Sequence, residues 1–235
     1  DAHPRVHSER ADLVRRVEDC IAQTVTDRLS RYHGLAAETL YHPPRLADRL
    51  HAGPFGEYVL SIGRLEAVKR VDLAIRALAH APAAVSLVVA GTGTQREAFE
   101  RMAADEGVAS RVRFLGEVDD ETLIELYANA LAVIYPPFDE DFGYVTLEAF
   151  LARKPVVTAK DSGGPNEFVI DGVNGFSCEP APEAIAAAIN ALQADRGRAR
   201  RMGEAGEARA RCITWDGVIE QLLGAADAAP RAAAI

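Results

Sequence analysis

Residues Leu131–Phe150 read LAVIYPPFDEDFGYVTLEAF. The apolar run Leu131-Ala132-Val133-Ile134 has the length and composition of a buried strand, and Pro136-Pro137 stops it. A short acidic loop, Asp139-Glu140-Asp141, follows. Phe142-Gly143 then opens a predicted helix whose apolar positions are Val145, Leu147, Ala149 and Phe150. Strand, loop and helix in this order bring the helix's first-turn N–H groups to the strand's carboxyl end. In an open α/β sheet ligands bind at that edge, and a helix N-terminus favours an anion. Glu140 on the loop and Glu148 one turn into the helix, on the side of Tyr144, flank the spot. An anion cradle between two carboxylates suits a ligand that is part phosphate and part polyhydroxyl.

Outward from this stretch the same alternation repeats. Predicted strands are Tyr58–Ile62, Val85–Ala90, Val112–Leu115, Pro155–Thr158 and a short Gly175–Ser177. Between them lie predicted helices at 71–79, 95–105 and 121–128. The pattern predicts a doubly wound parallel sheet of α/β class. Helices at 183–192 and 196–211 and a last one from Thr214 to Leu223 complete the chain, with a frayed APRAAAI tail. Residues 1–50 predict a helix over 8–19, a short strand at 20–22, and a helix over 25–32 stopped by His33-Gly34, before the rigid Pro43-Pro44. One strand and two helices cannot cover a sheet face by themselves. The expected division is 1–50, 51–212 and 213–235.

Composition narrows the function classes. The 235 residues are 49% hydrophobic and 26% charged, ordinary for a globular chain. The net charge of −9 falls wholly after residue 51, because residues 1–51 carry eight Arg against eight Asp and Glu. That argues against a nucleic-acid partner. No apolar run has the ~20 residues a transmembrane helix needs, and DAHPRVHSER lacks a signal peptide's apolar core. Cys20, Cys178 and Cys212 are scattered and odd in number, which supports neither a disulfide framework nor a zinc site. A cytoplasmic setting is expected.

Two cations and several glycines stand at strand ends. Gly63-Arg64-Leu65 closes the first strand of the main domain, and Lys69 follows five residues after Arg64. A guanidinium fork and an ammonium converging there would complement a diphosphate. Arg70 reads as a solvated helix residue. Gly91-Thr92-Gly93 is a tight βα turn lining the cleft, without the third glycine of a dinucleotide fingerprint. Gly116-Glu117-Val118-Asp119-Asp120 reads as an N-capped helix start. Gly143 allows a ligand to approach its backbone. Asp139-Glu140-Asp141 also spells D-x-D, yet Arg64 and Lys69 already supply countercharge, so no metal is expected. Past His51 only His80 remains, which argues against a histidine base here.

Glu140 and Glu148 seven residues apart, with Phe142-Gly143 between them and Ala149 after, resemble the E-x7-E signature of the retaining GT-B glycosyltransferases, the broad family four. The resemblance spans roughly residues 55–225 and includes the G-R…K pattern (Gly63, Arg64, Lys69), the G-x-G turn (Gly91, Gly93) and Ser162-Gly163-Gly164-Pro165-Asn166-Glu167. It implies the C-terminal, donor-binding, Rossmann-like half of a GT-B enzyme. Such enzymes transfer a hexose from a nucleoside diphosphate sugar to a hydroxyl with retention. By this resemblance Arg64 and Lys69 bind the diphosphate and stabilise the leaving group, and Glu140 faces the donor sugar's hydroxyls. Glu148 accepts from the ribose, and Val118 and Asp120 face the base. Phe142, Gly143, Tyr144 and Val145 offer backbone N–H groups to sugar and phosphate. Ser162–Glu167 borders the sugar, unless Glu167 is simply a helix-start acid. Asp141 stands where many relatives have Gly or Pro. Residues 1–50 correspond to the end of an acceptor-binding domain, most of which is expected elsewhere, in cis or in trans, and the terminal helix crosses back to it. The alternatives are a nucleotide-binding module without transferase activity of its own, and a GT-B-like epimerase, which the E-x7-E pair disfavours.

Overall fold

The computed structural model describes residues 19–228; the helix expected over 8–19 and the tail lie outside them, except that Asp19 begins a strand. The chain divides into two compact units, 44–212 and 1–43 with 213–235.

In the smaller unit, β1 (Asp19–Cys20) pairs in parallel with β2 (Glu38–Thr39). Between them α1 (Gln23–His33) ends at Gly34, whose left-handed φ of 64° lets its N–H close on the last turn. Thr26 and Thr39 share a hydroxyl hydrogen bond of 3.0 Å. The last helix, Trp215–Ala228, joins this unit, with the Gln221 amide donating to the Thr39 carbonyl at 3.3 Å.

The larger unit is built on six parallel strands: β3 (Tyr58–Ile62), β4 (Ser86–Ala90), β5 (Val112–Gly116), β6 (Ala132–Ile134), β7 (Val156–Ala159) and β8 (Gly175–Cys178), in the order β5-β4-β3-β6-β7-β8. β6 is buried on both faces, as a central strand of a parallel sheet must be. The helices between and after these strands are α2 (Val71–His80), α3 (Arg96–Asp105), α4 (Asp120–Asn129), α5 (Tyr144–Leu151), α6 (Pro165–Phe168), α7 (Pro182–Ala194) and α8 (Arg196–Ala210), so the terminal helix is α9. The apolar core joins β3, β4, α2, α3, β6 and α7, with Leu65, Ile75, Leu87, Leu131 and Ile189 at most 1% exposed. No described helix is long and apolar enough to cross a membrane.

Two features of this packing place the functional edge. The chain runs outward through β3, β4 and β5, then returns to lay β6 on the other side of β3. The topological switch point is therefore the gap between the carboxyl ends of β3 and β6. Second, α8 seats α5 by close backbone approach. A Cβ on Gly206 would fall 2.3 Å from the Phe150 ring, and one on Gly203 would fall 2.0 Å from the Arg153 carbonyl oxygen. The charged, glycine-bearing sequence of α8 thus fixes the helix that carries Glu148.

Candidate functional site

The loops at the switch point are laced together by backbone. Gly63 N–H donates to the Ala90 carbonyl (3.1 Å), Leu65 N–H to Thr92 (2.8 Å), and Gly91 N–H to Gly116 (2.7 Å). Gly91 (φ 131°) and Gly93 leave no room for a side chain, since their Cβ atoms would meet the Gly63 carbonyl oxygen at 2.0 Å and the Leu65 carbonyl oxygen at 2.5 Å. The G-x-G turn therefore fits against the Gly63-Arg64-Leu65 loop, and packing accounts for both glycines. Arg64 is exposed at the end of β3 and its guanidinium has no hydrogen bond or ion pair among the described residues. Lys69 ends a 3-10 turn over Ala67–Lys69. Its side chain is 15% exposed, and its ammonium is paired with the carboxylate of Glu140, whose side chain is 23% exposed.

Glu140 and Glu148 each receive a hydrogen bond from a buried tyrosine. Tyr135 Oη donates to Glu140 Oε2 at 3.2 Å and Tyr127 Oη to Glu148 Oε2 at 2.6 Å. Neither tyrosine was singled out in the sequence. A tyrosine on the apolar face of α4 with Ile124 and Ala128 must find a partner for its hydroxyl, and that was the available signal. Burial raises the Glu148 carboxyl pKa, against the Tyr127 hydrogen bond and the charge of Arg45, which lower it. The folded chain thus binds a proton at this site more readily than the unfolded chain does. The resulting stability is present below the ordinary carboxylate range and is lost as pH rises through the folded value. Glu148→Gln is isosteric and permanently neutral. In denaturant titrations it should stabilise the fold at neutral pH by about 0.5–2 kcal/mol, and the difference should vanish in acid.

Helix α5 begins at Tyr144, one residue later than the Phe142-Gly143 opening suggested, with Gly143 as its N-cap at φ 84°. Backbone and packing each give Gly143 a reason to be glycine besides ligand approach. The left-handed backbone already favours glycine, and a Cβ would meet Pro165 Cγ at 2.8 Å and the Tyr135 ring at 3.2 Å. Phe142 is buried edge-on to Tyr144 and Phe168, while Tyr144 is 37% exposed. Val145 is half-buried. The 139–141 loop pairs with the segment after β7: Asp139 N–H donates to Asp161 O and Glu140 N–H to Ser162 O, both at 3.0 Å, and Gly164 N–H donates to Glu140 O at 2.7 Å. Glu167 lies in the first turn of α6, a helix too short to show a period in the sequence.

On the far side of the crevice, Asp119 caps α4 by accepting from Thr122 N–H at 2.8 Å. Asp120 is held by Arg45 through two bonds of 2.6 and 2.7 Å, with Arg49 also near it. Arg45 beside it holds the Asp120 carboxyl below its usual range. Val118 is half-buried in the preceding loop. Arg70 is a correction. It is not a solvated helix residue, for its side chain is 17% exposed and bonds the carbonyls of Pro136 and Pro137 and the carboxylate of Asp161. His80 ends α2 near Glu183.

A family model, glycosyl transferases group 1, matches residues 53–209. The chain is 36% identical over 205 residues to the D-inositol 3-phosphate glycosyltransferase of Nocardia farcinica, covering 81% of this chain and 45% of that protein. It is 34% identical over 220 residues to the glycogen synthase of Mycobacterium tuberculosis, covering 87% and 52%. The chain spans about half the length of these curated relatives. Crystal structures of Anabaena Alr3699/HepE share the fold; the complex with UDP superposes with a TM-score of 0.82 at 24% identity, over 89% of this chain and 63% of that one. Parallel six-stranded sheet, switch-point crevice and family match agree: this chain belongs to the glycosyl transferases group 1 family and has the Rossmann-like fold found in GT-B glycosyltransferases.

Proposed function

We propose that this chain is the donor-binding half of a retaining glycosyltransferase that moves a hexose from a nucleoside diphosphate sugar to a hydroxyl acceptor. The observation that carries the reading is the switch point itself. There the cationic segment after β3, Arg64 to Lys69, faces the loop and helix start after β6. Glu140 and Glu148 line that second wall, each held by a buried tyrosine. In this reading Arg64 and Lys69 take the diphosphate and stabilise the charge that develops on it as the glycosidic bond breaks. Glu148 accepts from the ribose hydroxyls and Glu140 from the sugar. Val118 borders the base beside the Arg45–Asp120 pair. The N–H groups from Phe142 to Val145 line the phosphate and sugar. The leaving diphosphate assists removal of the acceptor's proton, so no histidine is needed.

Similarity supports the same reading, because Anabaena Alr3699/HepE, with this fold, was crystallised with UDP, with UDP-glucose, and with UDP and glucose. We further propose that no divalent metal takes part, since the two cations supply the diphosphate's countercharge. The acceptor side is assigned to a further domain, in cis or in trans, and the setting to the cytoplasm.

Calorimetric titration with UDP, GDP and ADP, with and without magnesium, tests this. Saturable binding of one of them, unchanged by magnesium or chelator, is the expected result and identifies the base. Binding that appears only with magnesium would overturn the metal-independent reading. Binding of none, in this chain and in a longer form alike, would overturn the donor site. Glu148→Gln should weaken the bound nucleotide about tenfold, the size of one charged hydrogen bond, despite its greater stability.

A further inference from the structure

Arg70 has an arrangement that a surface arginine next to a helix start does not need. It sits at φ 48°, a left-handed conformation that is unfavourable for a non-glycine residue and persists only where contacts enforce it. The contacts are on the side chain. Nε donates to the Pro136 carbonyl at 2.8 Å and Nη2 to the Pro137 carbonyl at 2.8 Å. Nη1 and Nη2 together grip the Asp161 carboxylate at 3.0 and 2.6 Å. The guanidinium also lies 5.6 Å from the centre of the Phe138 ring. One planar fork therefore ties three chain segments: its own, the loop after β6, and the loop after β7. Lysine cannot reproduce this, having one nitrogen and no fixed plane.

Two of these segments, its own after β3 and the loop after β6, are the two walls of the switch-point crevice. The Phe138 amide donates to the Val68 carbonyl at 2.8 Å, so the segment bearing Lys69 and the loop bearing Glu140 also touch through backbone. Asp139 and Glu140 then hydrogen-bond to Asp161 and Ser162. The peptide at Asp139 is itself left-handed, φ 48°, so this loop is held in shape by its neighbours rather than by its own preference. Arg70 adjoins Lys69, and the two side chains act on the same loop: Lys69 on the Glu140 carboxylate, Arg70 on the carbonyls at the loop's root.

We propose that Arg70 is a positioning residue, which through Pro136, Pro137 and Asp161 sets where Glu140 stands relative to the bound donor's sugar. This rests on the donor-site reading above and deepens it, by separating recognition of the sugar from recognition of the nucleotide. The nucleotide's base and ribose contact Glu148 and the α4 side, which Arg70 does not touch. The sugar depends on the loop it holds.

The test compares the wild-type chain with Arg70→Met and Arg70→Lys in two measurements. Titrations use the pairs UDP and UDP-glucose, GDP and GDP-mannose, and ADP and ADP-glucose. The expected result for both variants is a loss of about tenfold or more in the nucleotide sugar's affinity, against a loss of no more than about threefold for the nucleotide diphosphate. Hydrogen exchange, which needs no ligand, should show faster exchange at the amides of Phe138, Asp139, Glu140 and Gly164, with β4 unchanged. Equal weakening of diphosphate and sugar, or full affinity restored by Arg70→Lys, would overturn the positioning role. So would unchanged loop exchange in Arg70→Met. If the wild-type chain and a longer form alike bind none of the six compounds, the donor-site reading falls and the role in sugar recognition with it, while the exchange data still decide whether Arg70 holds the loop.

Discussion

Lys154→Ala should destabilise the 44–212 unit by about 3–5 kcal/mol, the largest effect expected of any single substitution here. Lys154 has no exposed surface. Its ammonium donates to the carbonyls of Gly53 and Pro54, both at 2.9 Å, and stands 3.9 Å from the centre of the Phe55 ring. Alanine would leave two buried carbonyls without this donor and a cavity where three methylenes and the ammonium had been. Lys154→Met keeps most of the volume and removes only the donors, so its cost should be about 1–3 kcal/mol. The difference between the two variants measures the packing part. The segment concerned enters the sheet tightly, since a Cβ on Gly53 would lie 2.4 Å from the Ala128 carbonyl oxygen. Arg196 holds its far end through the Phe55 and Gly56 carbonyls, both at 2.7 Å.

The same lysine gives a pH signature whose sign is fixed. Burial pushes the Lys154 ammonium from its ordinary 10.5 down to about 8. Between those values the unfolded chain holds a proton that the folded chain has released, so this group's contribution to stability rises with pH across that window. The deficit of Lys154→Met relative to wild type should therefore widen from pH 8 towards pH 10. Urea titrations at several pH values measure both effects, and a deficit that narrows over that range would contradict the assignment.

Why some of this architecture was legible in the sequence, and some not, follows from the range of the interactions. Tyr58–Ile62 matches β3 to the residue, and the other five strands of the sheet begin or end within a residue or so of their expected bounds. Continuous apolar runs bounded by Gly or Pro are a local signal that burial in a parallel sheet enforces. The order of the strands is not local. Alternating strand and helix fits several doubly wound orders, and the return of β6 to the side of β3 is decided by packing between distant residues. Elements of two to four residues, β2 and α6, carry no period to read. At the candidate site, the two glutamates and the two cations stand out in the sequence through their resemblance to the E-x7-E and G-R…K patterns. The residues that orient them do not. Arg70 and Asp161 are 91 positions apart in the chain and Tyr127 and Glu148 are 21 apart, and each such partner is a buried polar group whose need becomes visible only when the loops meet. The role of Arg70 is hidden for the same reason: beside a helix start in sequence, it looks solvated until the proline carbonyls arrive.

The Lys69–Glu140 pair gives the largest expected effect on binding. In the donor-site reading Lys69 lies between two anionic partners, the diphosphate and the Glu140 carboxylate it already holds. Lys69→Met removes the attraction to the phosphate and also leaves Glu140, three-quarters buried, as an uncompensated charge facing it. The two costs add, and the affinity for the nucleoside diphosphate should fall about 100-fold. Arg64→Ala, at an exposed guanidinium with no hydrogen bond or ion pair among the described residues, loses one contact and should cost about tenfold. Glu140→Gln in the Lys69→Met background removes the repulsion and should return about tenfold of the diphosphate affinity. It should not return the nucleotide sugar's, because a neutral amide accepts less strongly from the sugar hydroxyls. Calorimetry on the four forms closes a double-mutant cycle whose coupling term is the pair itself. Additive losses would show that Glu140 does not act through Lys69. An unchanged diphosphate affinity in folded Lys69→Met would move the phosphate away from this end of β3 altogether, and with it the reason for two cations at the switch point.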